Sequence, residues 1–145
     1  MDRKAVIKAL NDVLVLEYAA VIQYAQFSYC VKGLRRRAVT DWFFEQATDS
    51  LTHARQLGDK IVALGGVPTT EIGPVQQAPD LVGMVKLALD GERRSVEAYK
   101  AALALAADDT ALRVQLENQI QLEQESVEEL EKMLGDPAQL AAGEA

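Results

Sequence analysis

Residues 6–31 read VIKALNDVLVLEYAAVIQYAQFSYCV. Within them Val6, Leu10, Val13, Glu17, Ala20, Tyr24, Phe27 and Val31 recur at alternating steps of four and three. That spacing is the stripe of a helix buried along one face. Every member is apolar or aromatic except Glu17. A carboxylate in the middle of a buried stripe costs several kcal/mol unless it is paired, so Glu17 needs a partner from another element.

Working outward, the helix extends over about 3–32 and stops at Gly33, a residue type suited to a left-handed C-terminal position. A second helix runs over about 37–64 and stops at Gly65-Gly66. Residues 65–79 hold Pro68, Pro74 and Pro79, three of the four prolines, and form a loop. A third helix covers about 80–107. Asp108-Asp109-Thr110 breaks it and caps a fourth over about 110–134, which ends before Gly135. Short links make each pair of helices an antiparallel hairpin, and the loop between the pairs is long enough to run the length of a bundle. The fold class is all-α: a four-helix bundle of two antiparallel hairpins joined by one crossover, in a single domain over 1–145.

With 49% hydrophobic and 26% charged residues the chain is globular. A single cysteine, Cys30, makes no internal disulfide and is read as packing. No apolar run is long enough for a membrane span, and no secretory leader opens the chain, so a cytoplasmic protein without a membrane partner is expected. The net charge of −7 argues against nucleic acid as a partner. No phosphate loop or nucleophile elbow is present. The run Arg35-Arg36-Arg37 reads as a solvated turn.

The other helices repeat the anomaly of the first. Leu112, Leu116, Ile120, Glu123, Val127, Leu130 and Leu134 form a seam whose only charge is Glu123. In the second helix, Val39, Phe43, Gln46, Ser50, His53, Leu57 and Leu64 share a stripe with a polar centre that contains the chain's one histidine. The third helix offers a seam of small residues, Met84, Ala88, Gly91, Ser95, Ala98, Ala102 and Leu105, with Glu97 on its border and Glu92 further round. Periodicity alone leaves Glu97 equally free to point in or out. Glu17, His53, Glu97 and Glu123 lie near the middle of four different helices. Oxygen donors with one imidazole suit iron or manganese better than copper or zinc. The alternative is a buried salt-bridge network with Arg94 or protonated His53 as the counterion.

The stretch EYAAVIQY, residues 17–24, is similar to the bacterioferritin segment that carries a glutamate ligand and a nearby tyrosine. Asp90-Gly91 followed by Glu97 is similar to the third-helix segment that carries another. On these residues the chain resembles the ferritin-like superfamily, bacterioferritin most closely, over about 5–134. Such proteins hold two irons with a glutamate on each of two helices and Glu-x-x-His on the other two. The resemblance implies Glu17, His53, Glu97 and Glu123 as ligands, with Glu97 inward and Glu123 as the bridge.

Two departures stand out. Ser50-Leu51-Thr52-His53 has serine where the bridging glutamate stands, and Glu123-Gln124-Glu125-Ser126 has serine where the histidine stands. Leu51 occupies the place of the haem-ligating methionine, so no haem is expected. Asp49, one turn before His53, is a further candidate ligand, and Tyr24 is either an electron-transfer tyrosine or a packing residue.

The function expected is iron binding, with manganese as the other metal that fits, at a reduced carboxylate/histidine centre. If it is an enzyme, it is of the ferroxidase type. A metal-free interaction bundle and an oxidoreductase acting on an organic substrate are the alternatives. The short tail after Pro137 leaves little room for a fifth helix. Ala47, Leu51, Ala54, Gly58 and Ile61, with Trp42, form a second-helix face suited either to a neighbouring helix or to a partner subunit. Together these favour a homodimer over a large cage.

Overall fold

The computed structural model describes residues 1–135; the short tail expected after Pro137 lies outside them. Four helices follow in order, α1 (Arg3–Cys30), α2 (Arg36–Ala63), α3 (Leu81–Leu105) and α4 (Thr110–Leu134). They form the expected bundle, with ends within two residues of the expected ones. No strand occurs among the described residues.

Three of the four helix starts are capped by aspartate. Asp2 accepts from the Ala5 amide at 3.2 Å, Asp80 from Gly83 at 2.7 Å and Asp109 from Leu112 at 3.0 Å. Each satisfies an amide that the first turn leaves without a partner. The start of α2 has no side-chain cap, and its first residue serves α1 instead. Arg36 donates from Nη1 to the carbonyls of Ser28, Tyr29 and Val31 at 3.2, 3.0 and 2.7 Å. The arginine turn, expected to be merely solvated, thus closes the C-terminal end of α1, where a cation is also favoured by the helix dipole.

The crossover, residues 64–80, leaves α2 through two glycines. Gly65 has φ of 91°, and a Cβ on Gly66 would come within 2.6 Å of the Ile7 side chain. The loop is then pinned to the outer face of α1. Asn11 donates to the Val67 carbonyl and accepts from the Thr69 amide. The Gly73 amide donates to Val15 O at 3.1 Å. Gln23 exchanges two bonds with the Gln76 backbone at 2.6 and 2.8 Å.

α1 packs against α2 and α3, and α3 against α4. The core has two apolar parts. One is built around Leu10, Leu57, Tyr99 and Leu116, the other around Phe27, Phe43, Val85 and Leu130. Between them lies a layer of buried polar side chains, Glu17, Ser50, Glu92, Ser95, Gln119 and Glu123. The α2 face proposed for a partner is largely spent inside the chain: Ala47, Ala54 and Ile61 are buried, while Leu51 is exposed. None of the described helices is long and apolar enough to cross a membrane.

Candidate metal centre

The polar layer gathers one donor from each helix. Glu17 comes from the middle of α1, His53 from α2, Glu92 from α3 and Glu123 from α4. Donor atoms of Glu17, His53 and Glu123 all lie within 4.8 Å of one another. His53 Nδ1 stands 3.6 Å from Glu17 Oε2 and 3.5 Å from Glu123 Oε1. It is buried and makes no hydrogen bond to either. At these separations a protonated imidazole is ion-paired with both carboxylates, and the same three donors are close enough together to hold a cation in the proton's place.

The next side chains orient the ligands. Tyr99 donates its hydroxyl to Glu17 Oε1 at 2.9 Å, Gln119 donates to Glu123 Oε1 at 3.3 Å and Tyr24 donates to Glu92 Oε1 at 2.7 Å. Burial, reinforced by the neighbouring carboxylates, raises both tyrosine pKa values far enough to keep the hydroxyls protonated as donors. Burial likewise lifts Glu92 well above the ordinary carboxylate range, with the adjoining Glu123 acting in the same direction. For His53 burial disfavours the charged form, but the carboxylates of Glu123 and Glu17 outweigh it and raise the pKa to about 10. In the metal-free protein the imidazole therefore carries a proton at neutral pH. Such a group must give up that proton to ligate a metal.

Each residue singled out from the sequence has a definite place. Glu17, His53 and Glu123 meet, as their positions on three seams implied. Glu97 does not join them: its side chain is 76% exposed and lies 3.6 Å from Lys100 on the same helix. Glu92 takes the inward place on α3. The reason is the face α3 buries. Val85, Leu89, Glu92, Val96 and Tyr99 are all buried, again at steps of four and three. Most of the small-residue stripe beside it is buried as well, at Met84, Ala88, Ser95 and Ala102, so α3 buries a broad face that includes Glu92 and ends short of Glu97. Arg94 pairs with Asp90 at the surface rather than with the centre. Asp49 is exposed. Tyr24 is buried, with its ring against Trp42 and Phe43.

Ser50 and Ser126 line an open cleft of about 540 Å³ between α2 and α4, together with Trp42, Asp49, Glu92 and Glu129. The cleft leads from solvent to His53 and Glu123. Glu92 and Glu123 are therefore the carboxylates on the side of the layer where the serines leave space.

Comparison with known proteins agrees with this architecture. Residues 7–140 match the ferritin-like domain family. One similar solved structure is described as that of ferritin-like, diiron-carboxylate proteins from Bacillus anthracis strain Ames. It is 35% identical, covers 93% of this chain and 99% of its own, and superposes with a TM-score of 0.91. No curated protein matches. A bundle with this crossover, an acidic layer across its middle and a family match over nearly its whole length together place the chain in the ferritin-like family.

Proposed function

We propose that the chain binds one divalent transition metal, iron foremost and manganese as the other fit, between Glu17, His53 and Glu123, and handles iron in a bacterioferritin-like way. The observation that carries this is the convergence, in a buried layer, of one imidazole nitrogen and two carboxylates whose donor atoms lie within 4.8 Å of one another. One nitrogen with hard oxygen donors suits these metals. Bound iron supplies a one-electron change between its two common oxidation states, which is the basis of ferroxidation. Tyr99 and Gln119 hold Glu17 and Glu123 in orientation, while Tyr24 holds Glu92 beside the bridge position. The second position of a two-metal centre has only Glu92 and the shared Glu123, with Ser126 facing the same cleft. A hydroxyl is a poor ligand beside an imidazole, so one tight metal per chain is expected.

The test is elemental analysis of protein purified with and without added Fe(II). One equivalent should be retained, and His53→Ala and Glu123→Gln should each lose it. Glu97→Gln should keep it. A metal-free protein under both conditions would leave protonated His53 as the counterion of the layer and sink the metal reading.

The cleft of about 540 Å³ at the serines favours a second reading, an oxidoreductase acting on an organic substrate. Retention of an organic molecule that protects Ser126→Trp-sensitive activity would support it. A homodimer remains the assembly we propose, now through exposed apolar side chains such as Ile22, Phe44 and Leu51. Light scattering showing a particle of several hundred kilodaltons would end that idea.

A further inference from the structure

Glu92 forms part of the wall of two separate spaces on opposite sides of the bundle. One is the wide cleft between α2 and α4. The other is a small pocket of about 60 Å³ between α1 and α3, roofed by Pro74 of the crossover.

Their linings differ in kind. The cleft carries Asp49, Glu125 and Glu129 at its rim and no lysine or arginine. The pocket is mainly apolar, lined by Leu16, Ala20, Pro74, Leu87, Ala88 and Gly91, with Ser95, Glu92 and Arg94 also on its wall. Its polar neighbours are largely engaged elsewhere. Both polar ends of Gln23 are bonded to Gln76, Arg94 faces Asp90 at 3.3 Å, and the Tyr24 hydroxyl is given to Glu92. The small side chains of Ala20, Ala88 and Gly91 create the space, and a Cβ on Gly91 would meet nothing within 4 Å. On the same measure roughly 10–15 Å³ holds one water, so the pocket has room for about four to six water-sized atoms, ample for a diatomic. A mainly apolar wall disfavours free ions, which lose their hydration there.

The geometry points to this pocket as a binding station for dioxygen, which reaches the metal centre past Glu92 from the face opposite the one that admits cations. This inference rests on the iron-oxidising reading above for its role, though the pocket itself does not. An uncharged diatomic gains from an apolar cavity, whereas a hydrated cation gains from the acidic cleft. Separate routes let a metal enter without displacing the co-reactant.

Xenon tests the site without any metal, since dry apolar cavities take it up. Crystals of the metal-free protein held under xenon should show one anomalous peak among Ala20, Ala88 and Gly91. Gly91→Leu and Ala20→Leu should abolish it, and circular dichroism and unfolding curves identify any variant that fails to fold. In the iron-loaded protein the same variants should slow dioxygen-driven oxidation by roughly tenfold, equivalent to a barrier about 1.4 kcal/mol higher. Oxidation by hydrogen peroxide, which is polar and can use the wet cleft, should keep its rate. No xenon in the pocket overturns the inference. So does an unchanged dioxygen rate in folded variants, or equal slowing with both oxidants. A protein that takes up xenon but no iron would instead mean that the metal reading had failed.

Discussion

Raising the pH of the metal-free protein should weaken its fold through its one histidine. Burial opposes the charge on His53, yet Glu123 and Glu17 together lift its pKa to about 10. The unfolded value is about 6.5. A base with a raised folded pKa contributes its full stability below the unfolded value and loses it as the pH climbs through the folded one. The window is therefore about pH 6.5 to 10. At full strength the slope is about 1.4 kcal/mol per pH unit, or about 3 kcal/mol between pH 7 and 9. The side chain keeps 17% of its surface exposed, and solvent screening reduces the loss to roughly 1–2 kcal/mol.

Glu92 acts with the same sign. Its folded pKa is also raised, so its contribution is present below the ordinary carboxylate range and is lost as the pH rises through the raised value. Urea unfolding of chelator-treated protein at pH 7 and 9 measures the effect. With m of about 1–3 kcal/mol/M the midpoint should fall by roughly 0.3–2 M. The histidine can be titrated directly by NMR because no other imidazole overlaps it. With saturating Mn(II) the trend should reverse, since the cation replaces the proton and binds more tightly as the pH rises. A midpoint that stays level or climbs from pH 7 to 9 in the metal-free protein would refute the reasoning.

Tyr99→Phe removes the donor to a buried carboxylate oxygen and should cost about 1–3 kcal/mol, read from the same unfolding experiment at pH 7. Ser50→Glu combined with Ser126→His should raise retained iron from one to two per chain and speed Fe(II) oxidation; elemental analysis and the ferric absorbance report both, and a stoichiometry still at one would show that the serines are not what limits the second position.

Much of this molecule can be read from periodicity. The seam from Val6 to Val31 marks α1 because its apolar spacing has no reasonable strand equivalent. Glu17 and Glu123 declare themselves as the only charges on otherwise apolar stripes. His53 gains meaning from the polar residues Gln46 and Ser50 on its own stripe. Asp80 and Asp109 signal helix starts through cap chemistry that is local to a few residues. Gln119 and Tyr99 give no such signal. Each is a residue type common on both surfaces and seams. Tyr99 matters because of a carboxylate from another helix, Glu17, 82 residues away, and Gln119 because Glu123, one turn further along α4, is itself turned into the centre.

The four helices, their hairpin-and-crossover order and the need for a polar layer halfway along can all be derived from the residue string, because they follow from spacing, capping and link length within each segment. Which glutamate of α3 faces inward depends on the helices around it. Two adjoining stripes are buried together, most of the small-residue one and Val85, Leu89, Glu92, Val96 and Tyr99. A helix cannot reveal alone how wide a face its neighbours will cover, or which edge of that face stays in solvent. Packing of α3 against α1 and α4 buries Glu92 at 7% exposure and leaves Glu97 in solvent. The width and direction of the covered face, set by the neighbouring helices, thus brought in the third carboxylate of the centre.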